Sequence, residues 1–257
     1  MKAIEVAKII EEFAPLAIQE SWDNSGFSVG NKNVEVKSIL LGLDCTQELI
    51  EEALECGANM IITHHPLIFG GLTEISNDTE QGKAIMAAIK NDVVVYSCHT
   101  NIDKVLNGVS GTMSKRLSLE NVSILDVDSS GFGLGVVGNF RNPIAPDDFI
   151  SLLKNAFSLE FLRSSELPQK NIYKVALCGG SGKSLMAKAI ECGADALVTG
   201  DITYHDFFCP KDFLLVDIGH FESEIDILQT IFDILTKKIH TFAVHISNKK
   251  YNPVYYY

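Results

Sequence analysis

The feature of this sequence that most constrains its fold is an internal repeat. When the chain is shifted by 136 residues, segment 49–63 aligns with segment 185–199, and seven positions are identical. In both copies apolar residues recur at helical spacing, a glycine such as Gly57 follows, and a short β-rich run comes next. An apolar run precedes each helix, at 38–43 in the first copy and at 173–177 in the second. The sequence therefore predicts two β-α-β units from one duplicated ancestor.

Two further apolar runs, 93–99 and 213–220, each end in a histidine. Continuous apolar runs are typical of strands buried on both faces, as in a mostly parallel sheet. Glycines and prolines are frequent between 126 and 146, so we place a boundary there. The predicted fold class is α/β, with two related α/β lobes from an internal duplication at 1–125 and 126–257.

Composition limits the function. A length of 257 residues allows one large domain or two ordinary ones, and the net charge of -12 argues against a nucleic-acid partner, because a phosphate backbone needs a basic face. The six cysteines include no CxxC pair, which disfavours a cysteine-based zinc site or a dithiol redox motif. The sequence begins without a signal-peptide pattern and has no run of membrane-spanning length, so we expect a cytoplasmic protein with no membrane partner.

Histidines and acids at predicted strand ends indicate a metal site. The side chains concerned are His64, His65, His99, Asp103, His220 and Glu224. Ends of neighbouring strands converge in α/β sheets, and a spacing of four brings two side chains to one face of a helical turn. A lone histidine after a strand is usually a packed or surface residue, but several such features in both halves favour metal binding. Imidazole and carboxylate donors suit Zn, Mn, Fe, Ni or Co and do not distinguish between them.

The second copy of the repeat lacks the paired histidines. Gly200 and Asp201 stand where the first copy has His64 and His65. Asp201 and His205 are four residues apart, and they could support the metal ligands or transfer protons. The alternative, equally open, makes Asp201 a helix N-cap and His205 a surface residue.

A glycine-rich segment at 179–184, Gly-Gly-Ser-Gly-Lys-Ser, superficially matches a phosphate-binding loop. The motif requires a glycine where Leu177 stands. A glycine-rich turn entering a helix could still bind an anion, but we predict a packed strand-to-helix turn.

Five ordered motifs carry a family resemblance. They are Ser-Trp-Asp-Asn-Ser-Gly at 21–26, Thr-His-His-Pro-Leu-Ile-Phe at 63–69, His-Thr-Asn-Ile-Asp at 99–103, Gly-Asp-Ile-Thr-Tyr-His at 200–205 and Gly-His-Phe-Glu-Ser-Glu at 219–224. Together they resemble the type 2 GTP cyclohydrolase I homologues, also called the Nif3-like family, in its short form. The resemblance implies a metal-dependent hydrolase that opens the guanine ring of GTP, giving formate and dihydroneopterin triphosphate.

The resemblance also implies a dinuclear centre, at strand ends between the lobes, with two divalent metal ions per subunit. The implied metal ligands are His64, His65, Asp103, His220 and Glu224, with Glu224 bridging. His99 is implied to lie close to them, as a further ligand or a supporting group. We therefore take His99, Asp201 and His205 as the candidate catalytic residues. Glu222 is not expected to bind metal, because two residues from His220 it points elsewhere.

Relatives of this kind form ring-shaped hexamers, so the resemblance implies a homohexamer. Trp22 and the aromatic tail at 251–257 are side chains of the type that interfaces use. Two other functions stay open: a different dinuclear phosphatase or phosphodiesterase acting on a nucleotide such as GTP, and a non-catalytic metal-binding regulatory scaffold.

Overall fold

The computed structural model describes residues 1–249 and 252–256 of the chain. The strands, in chain order, are β1 Gly26–Val29, β2 Ile39–Gly42, β3 Met60–Thr63, β4 Val94–Ser97, β5 Glu120–Val127, β6 Gly133–Ile144, β7 Arg163–Ser164, β8 Ile172–Ser181, β9 Ala196–Gly200, β10 Leu214–Asp217 and β11 Val244–Ile246. The helices are α1 Ala3–Glu11, α2 Gln47–Glu55, α3 Glu80–Lys90, α4 Thr100–Asp103, α5 Val109–Arg116, α6 Pro146–Phe157, α7 Met186–Glu191, α8 His220–Glu224 and α9 Ile227–Thr236. Short 3-10 helices lie at Leu16–Ile18, Lys183–Leu185 and Tyr204–Phe207.

The chain forms two compact units, each with its own sheet. The first comprises Met1–Ile102 and Ile227–Tyr257, and the second comprises Asp103–Asp226. This division differs from the predicted boundary at 125/126. The C-terminal segment belongs to the first unit because β11 pairs in parallel with β2. A pairing between strands so distant in sequence leaves no local pattern from which it could be predicted.

The stretch 126–146, predicted as a boundary, lies inside the second unit and contains the turn of the β5–β6 hairpin. In that turn the carboxylate of Asp128 accepts hydrogen bonds from the backbone N–H and hydroxyl of Ser130. Gly131 follows with φ 85°, a conformation that glycine adopts without strain. Pro146 occupies the first turn of α6, where a missing N–H costs nothing. The glycines and prolines therefore mark a hairpin and a helix start rather than a linker.

The sheet of the first unit has the strand order β1-β4-β3-β2-β11. β1 is antiparallel to β4, and the other pairs are parallel. Every residue of β2, β3 and β4 is buried, so the prediction of strands covered on both faces is confirmed. Because β3 and β4 are parallel neighbours, the residues that follow them, including His64 and His99, leave the sheet at the same edge.

Helix α2 forms where the repeat predicts it. Thr46 is its N-cap, and the Thr46 hydroxyl accepts a hydrogen bond of 3.2 Å from the Leu49 N–H. One face, which includes Leu49 and Ala53, is buried in the core. The helix ends at Glu55, and Gly57, two residues further on, has a left-handed φ of 73° that lets the chain turn away.

The sheet of the second unit has the order β5-β6-β8-β9-β10-β7. β8, β9 and β10 are mutually parallel, while β5, β6 and β7 join antiparallel. The segments β2-α2-β3 and β8-α7-β9 thus share one order and one strand direction. The predicted mixed α/β class is confirmed, with two sheets.

Three sequence expectations concern the remainder of the chain. All six cysteines are free thiols. Across residues 1–249 and 252–256, no helix combines the length and the apolar character needed to cross a membrane. In the aromatic tail, Tyr255 and Tyr256 are exposed, while Tyr251 and Tyr257 lie outside the described residues.

Candidate metal centre

His64 and His65 follow β3 directly, and each is oriented through its Nδ1 atom. His64 is fully buried, and its Nδ1 lies 2.9 Å from the carbonyl oxygen of Cys98. A carbonyl can only accept, so Nδ1 carries the proton and Nε2 carries the lone pair. The Nδ1 of His65 lies 2.8 Å from Oδ1 of Asp44, which favours the same tautomer. Both imidazoles therefore present Nε2 as a metal-ligating atom.

His99 follows β4 and is held in the same way by Asp23. The distance between His99 Nδ1 and Asp23 Oδ1 is 2.8 Å. Asp23 Oδ2 also accepts hydrogen bonds from the Thr100 N–H and hydroxyl and from the Ser25 hydroxyl. Burial raises the pKa of the Asp23 carboxyl, but the hydrogen bonds from His99 and Thr100 outweigh it and hold the pKa well below its usual range. Asp23 is therefore an ionised acceptor that fixes the ring of His99.

The three imidazoles of the first unit form one cluster. Ring centroids are 4.9 Å apart for His64 and His65, 5.3 Å for His64 and His99, and 5.5 Å for His65 and His99. One nitrogen of each ring lies within 4.8 Å of the others. Since metal–nitrogen bonds are about 2.0–2.1 Å, nitrogens this close can share a cation after small rotations of the rings.

In the second unit His220 lies between two carboxylates. Its Nδ1 is 2.7 Å from Asp201 Oδ2, and its Nε2 is 3.1 Å from Glu224 Oε2, one turn along α8. Burial lowers the pKa of His220, but hydrogen bonds and charges from Glu224 and Asp201 outweigh it and raise the pKa to about 9. A divalent cation at Nε2 would replace that proton, because a ligating nitrogen must be unprotonated.

Asp103 ends α4, and its charge acts on the same buried thiol, that of Cys178, as the charge of Glu224 does. Burial raises the pKa of Cys178, and the negative charges of Asp103 and Glu224 raise it further. Glu224 is itself only 4% exposed. Two anionic side chains around one buried thiol form a region where a cation is favoured.

The glycine-rich segment packs against this group of residues, as predicted for a strand-to-helix turn. Gly180 has φ 59°, and a Cβ there would collide with Glu224 Oε1 and lie 3.2 Å from His220 Nε2. Its N–H donates to the Ser223 hydroxyl, and the N–H of Gly182 donates to the Thr199 hydroxyl. These two amides are therefore bonded within the protein, and the glycines allow α8 to approach β8.

Replacing Gly180 with alanine is expected to weaken metal binding without removing a ligand. The left-handed φ costs about 1 kcal/mol with alanine, and the new methyl group displaces the Glu224 carboxylate. We expect metal affinity to fall on the order of 10- to 100-fold, as for lost supporting contacts. Gly193→Ala is the control, because φ is 75° there but a Cβ meets nothing within 4 Å. Equal affinities in the two variants, measured by chelator competition, would contradict the assigned role of Gly180.

The other two predicted residues, Asp201 and His205, have different surroundings. Asp201 supports His220, and the N-cap of the adjacent 3-10 helix is Thr203 rather than Asp201. His205 is exposed in that helix, beside the ring of Tyr204. Sequence reasoning missed Asp23 and Asp44, although Asp23 lies in a quoted motif. The signal was weak, because each of these aspartates is distant in sequence from the histidine that it contacts.

The donor set fits divalent first-row metals. In each unit the candidate ligands are imidazole nitrogens or carboxylate oxygens, and supporting oxygens fix the imidazoles. Two cysteine thiols near these residues have raised pKa values: burial and the charge of Asp44 raise the pKa of Cys45 to about 12, and burial raises the pKa of Cys178. Thiolate ligation is thereby disfavoured, and the residues can hold a metal such as Zn, Fe, Mn, Ni or Co.

Comparison with known proteins identifies the family. Residues 1–253 match the family model Duf34/NIF3 (NGG1p interacting factor 3). The chain belongs to the Duf34/NIF3 family. Relatives named GTP cyclohydrolase 1 type 2 homolog include one from Clostridium perfringens, 37% identical and covering 97% of each chain. Another family relative with that name, from Lactococcus lactis, is 33% identical and covers 99% of each chain.

Solved structures agree on the fold of this family. A Staphylococcus aureus hypothetical protein superposes with a TM-score of 0.92 at 28% identity, covering 100% of this chain and 99% of that one. A Bacillus cereus protein related to NIF3 gives a TM-score of 0.93 at 22% identity, with the same coverage, and supports the fold alone. The resemblance carried by the five sequence motifs is confirmed.

Proposed function

We propose that this protein is a divalent-metal-dependent hydrolase with a dinuclear centre. The proposed ligands are His64, His65, Asp103, His220 and Glu224. The observation that carries the proposal is shared by the three proposed histidine ligands. Each has its Nδ1 within 2.7–2.9 Å of an oxygen acceptor, which orients the ring to bind a metal through Nε2.

The protein side chains have separate tasks in this proposal. Asp44 and Asp201 keep His65 and His220 in the ligating tautomer. Glu224 would hold both ions, and because it is buried, little water would screen the attraction between its charge and theirs. When bound, the ions supply Lewis acidity and lower the pKa of coordinated water to about 7.

The proposed reaction is hydrolytic opening of the guanine ring of GTP, with release of formate, as the names of the relatives suggest. Ring opening needs proton transfers to and from ring nitrogens. His99, oriented by the ionised Asp23, is the proposed proton-transfer group of the first unit. His205 is the proposed proton-transfer group of the second unit, where Asp201 acts by orienting His220.

Metal content and product release test the proposal. The protein is purified without a histidine tag, its metals are quantified by mass spectrometry, and formate release from GTP is measured. Two ions per subunit with formate release support the full proposal. Two ions with turnover only on a panel of phosphoesters indicate a dinuclear phosphatase or phosphodiesterase. Bound metal without any turnover indicates a regulatory scaffold, and absence of metal overturns the proposal.

The assembly proposed on family grounds is a closed homohexamer. The exposed aromatic side chains of Tyr255 and Tyr256 are of the type that oligomer interfaces bury. We expect light scattering at micromolar concentration to give the mass of six chains of 28.2 kDa. A mass of one chain at that concentration would contradict it.

Two further proposals follow from the repeat and the thiols. The shared β-α-β order of the two sheets supports descent from one duplicated ancestor. Free cysteines are typical of a reducing compartment, so we expect the protein to act in the cytoplasm.

A further inference from the structure

Two large aromatic side chains lie exposed beside the imidazole cluster of the first unit. Trp22 is 58% exposed and Phe69 is 55% exposed. Their ring centroids are 5.8 Å apart, with an interplanar angle of 66°. Each centroid lies 6.1 Å from that of His99, also in edge-to-face geometry. Both residues belong to the sequence motifs, yet metal binding gives neither a role.

Hydrogen bonds fix the backbone next to these two rings. Asp23, next to Trp22, is anchored by its hydrogen bonds to His99 and Thr100. The side-chain amide of Asn24 donates a 2.8 Å hydrogen bond to the carbonyl oxygen of Ile68, the residue before Phe69. The two aromatic residues are therefore held next to each other before any ligand arrives, which lowers the ordering cost of binding.

We propose that Trp22 and Phe69 form an aromatic wall that stacks a flat heteroaromatic ring against the imidazole cluster. The two exposed rings are inclined at 66°, so a planar ring that stacks on one of them contacts the other with its edge, and apolar surface of both is covered. A stacked ring next to His99 would have its edge atoms near the nitrogens of the imidazole cluster. The inference rests on the proposed function in taking that cluster as the reacting centre, and it adds the residues that hold the substrate's ring.

Trp22 is the single tryptophan of the chain, so its fluorescence reports on the wall directly. We expect guanosine to quench this fluorescence saturably and ribose 5-phosphate, which lacks the ring, to leave it unchanged. Phe69→Leu keeps the reporter and removes one stacking face. Because base–aromatic stacking is lost, we expect its guanosine affinity to fall by roughly 5- to 150-fold. Phe161→Leu, at an exposed phenylalanine of the other unit, should bind guanosine like the unchanged protein.

The outcomes separate this inference from the proposed function. Titrations are run on metal-loaded and on chelator-treated full-length protein. Quenching in a protein that holds no metal would support the wall while the metal-dependent function fails. Metal binding without saturable quenching, or equal affinity in the Phe69→Leu variant, would overturn the wall and leave the metal centre standing.

The Trp22→Ala variant distinguishes the wall from a role of Trp22 in a subunit interface. If Trp22 belongs to the wall, the variant should weaken guanosine binding, measured by equilibrium dialysis, and keep the oligomeric mass found by light scattering. A fall in mass with unchanged guanosine affinity would assign Trp22 to an interface and overturn the wall.

Discussion

Replacing Glu224 with glutamine is expected to remove at least one of the two metal ions that we propose for each subunit. The substitution keeps the shape of the side chain and removes its charge. Two cations held close together repel each other, and a neutral amide does not relieve that repulsion. The side chain is buried, so little water is present to screen the ions.

Glu222 provides the matched control for this substitution. It lies on α8 two residues before Glu224, so the two side chains leave the helix in different directions. Glu222→Gln removes the same charge from the same helix and should keep both ions. The measurement is metal content per chain after gel filtration, with thermal melting followed by circular dichroism to show that each variant is folded. If the Glu224→Gln protein retained two ions, the proposal that Glu224 bridges them would be contradicted.

Local elements could be predicted from the sequence because their signals are local. The apolar face of α2 and the stop at Gly57 lie within one short segment and predict that helix. The buried strands could be predicted in the same way, since each is a continuous apolar run. The positions of His64 and His99 at one sheet edge followed from the strands that precede them.

Other features depend on contacts between distant residues. The unit boundary could not be predicted because β11, a strand of three residues, reveals its partner β2 only in the folded chain. The supporting carboxylates of Asp23 and Asp44 are separated from their histidines by 76 and 21 residues. Gly180 was recognised as a turn glycine, but its approach to Glu224 depends on how α8 packs.

Replacing His205 with alanine is expected to keep both metal ions and to lower turnover on the order of 10²–10⁴-fold, the contribution of a general acid or base. His205 is outside the proposed ligand set, and it lies exposed with its ring centroid 5.2 Å from that of Tyr204 and 6.4 Å from that of Phe208. An exposed imidazole can exchange protons with solvent, which a group that transfers protons repeatedly must do. Its loss removes a proton path and leaves the fold intact.

His240→Ala is the control for this variant, because His240 is also exposed and lies outside every motif. Turnover is measured on the substrate that the formate and phosphoester assays identify, and metal content is measured on the same samples. The control should match the unchanged protein in both. Near-normal turnover in the His205→Ala protein would make His205 a surface residue. Loss of metal from that variant would instead mean that His205 is a ligand, and the proposed ligand set would have to change.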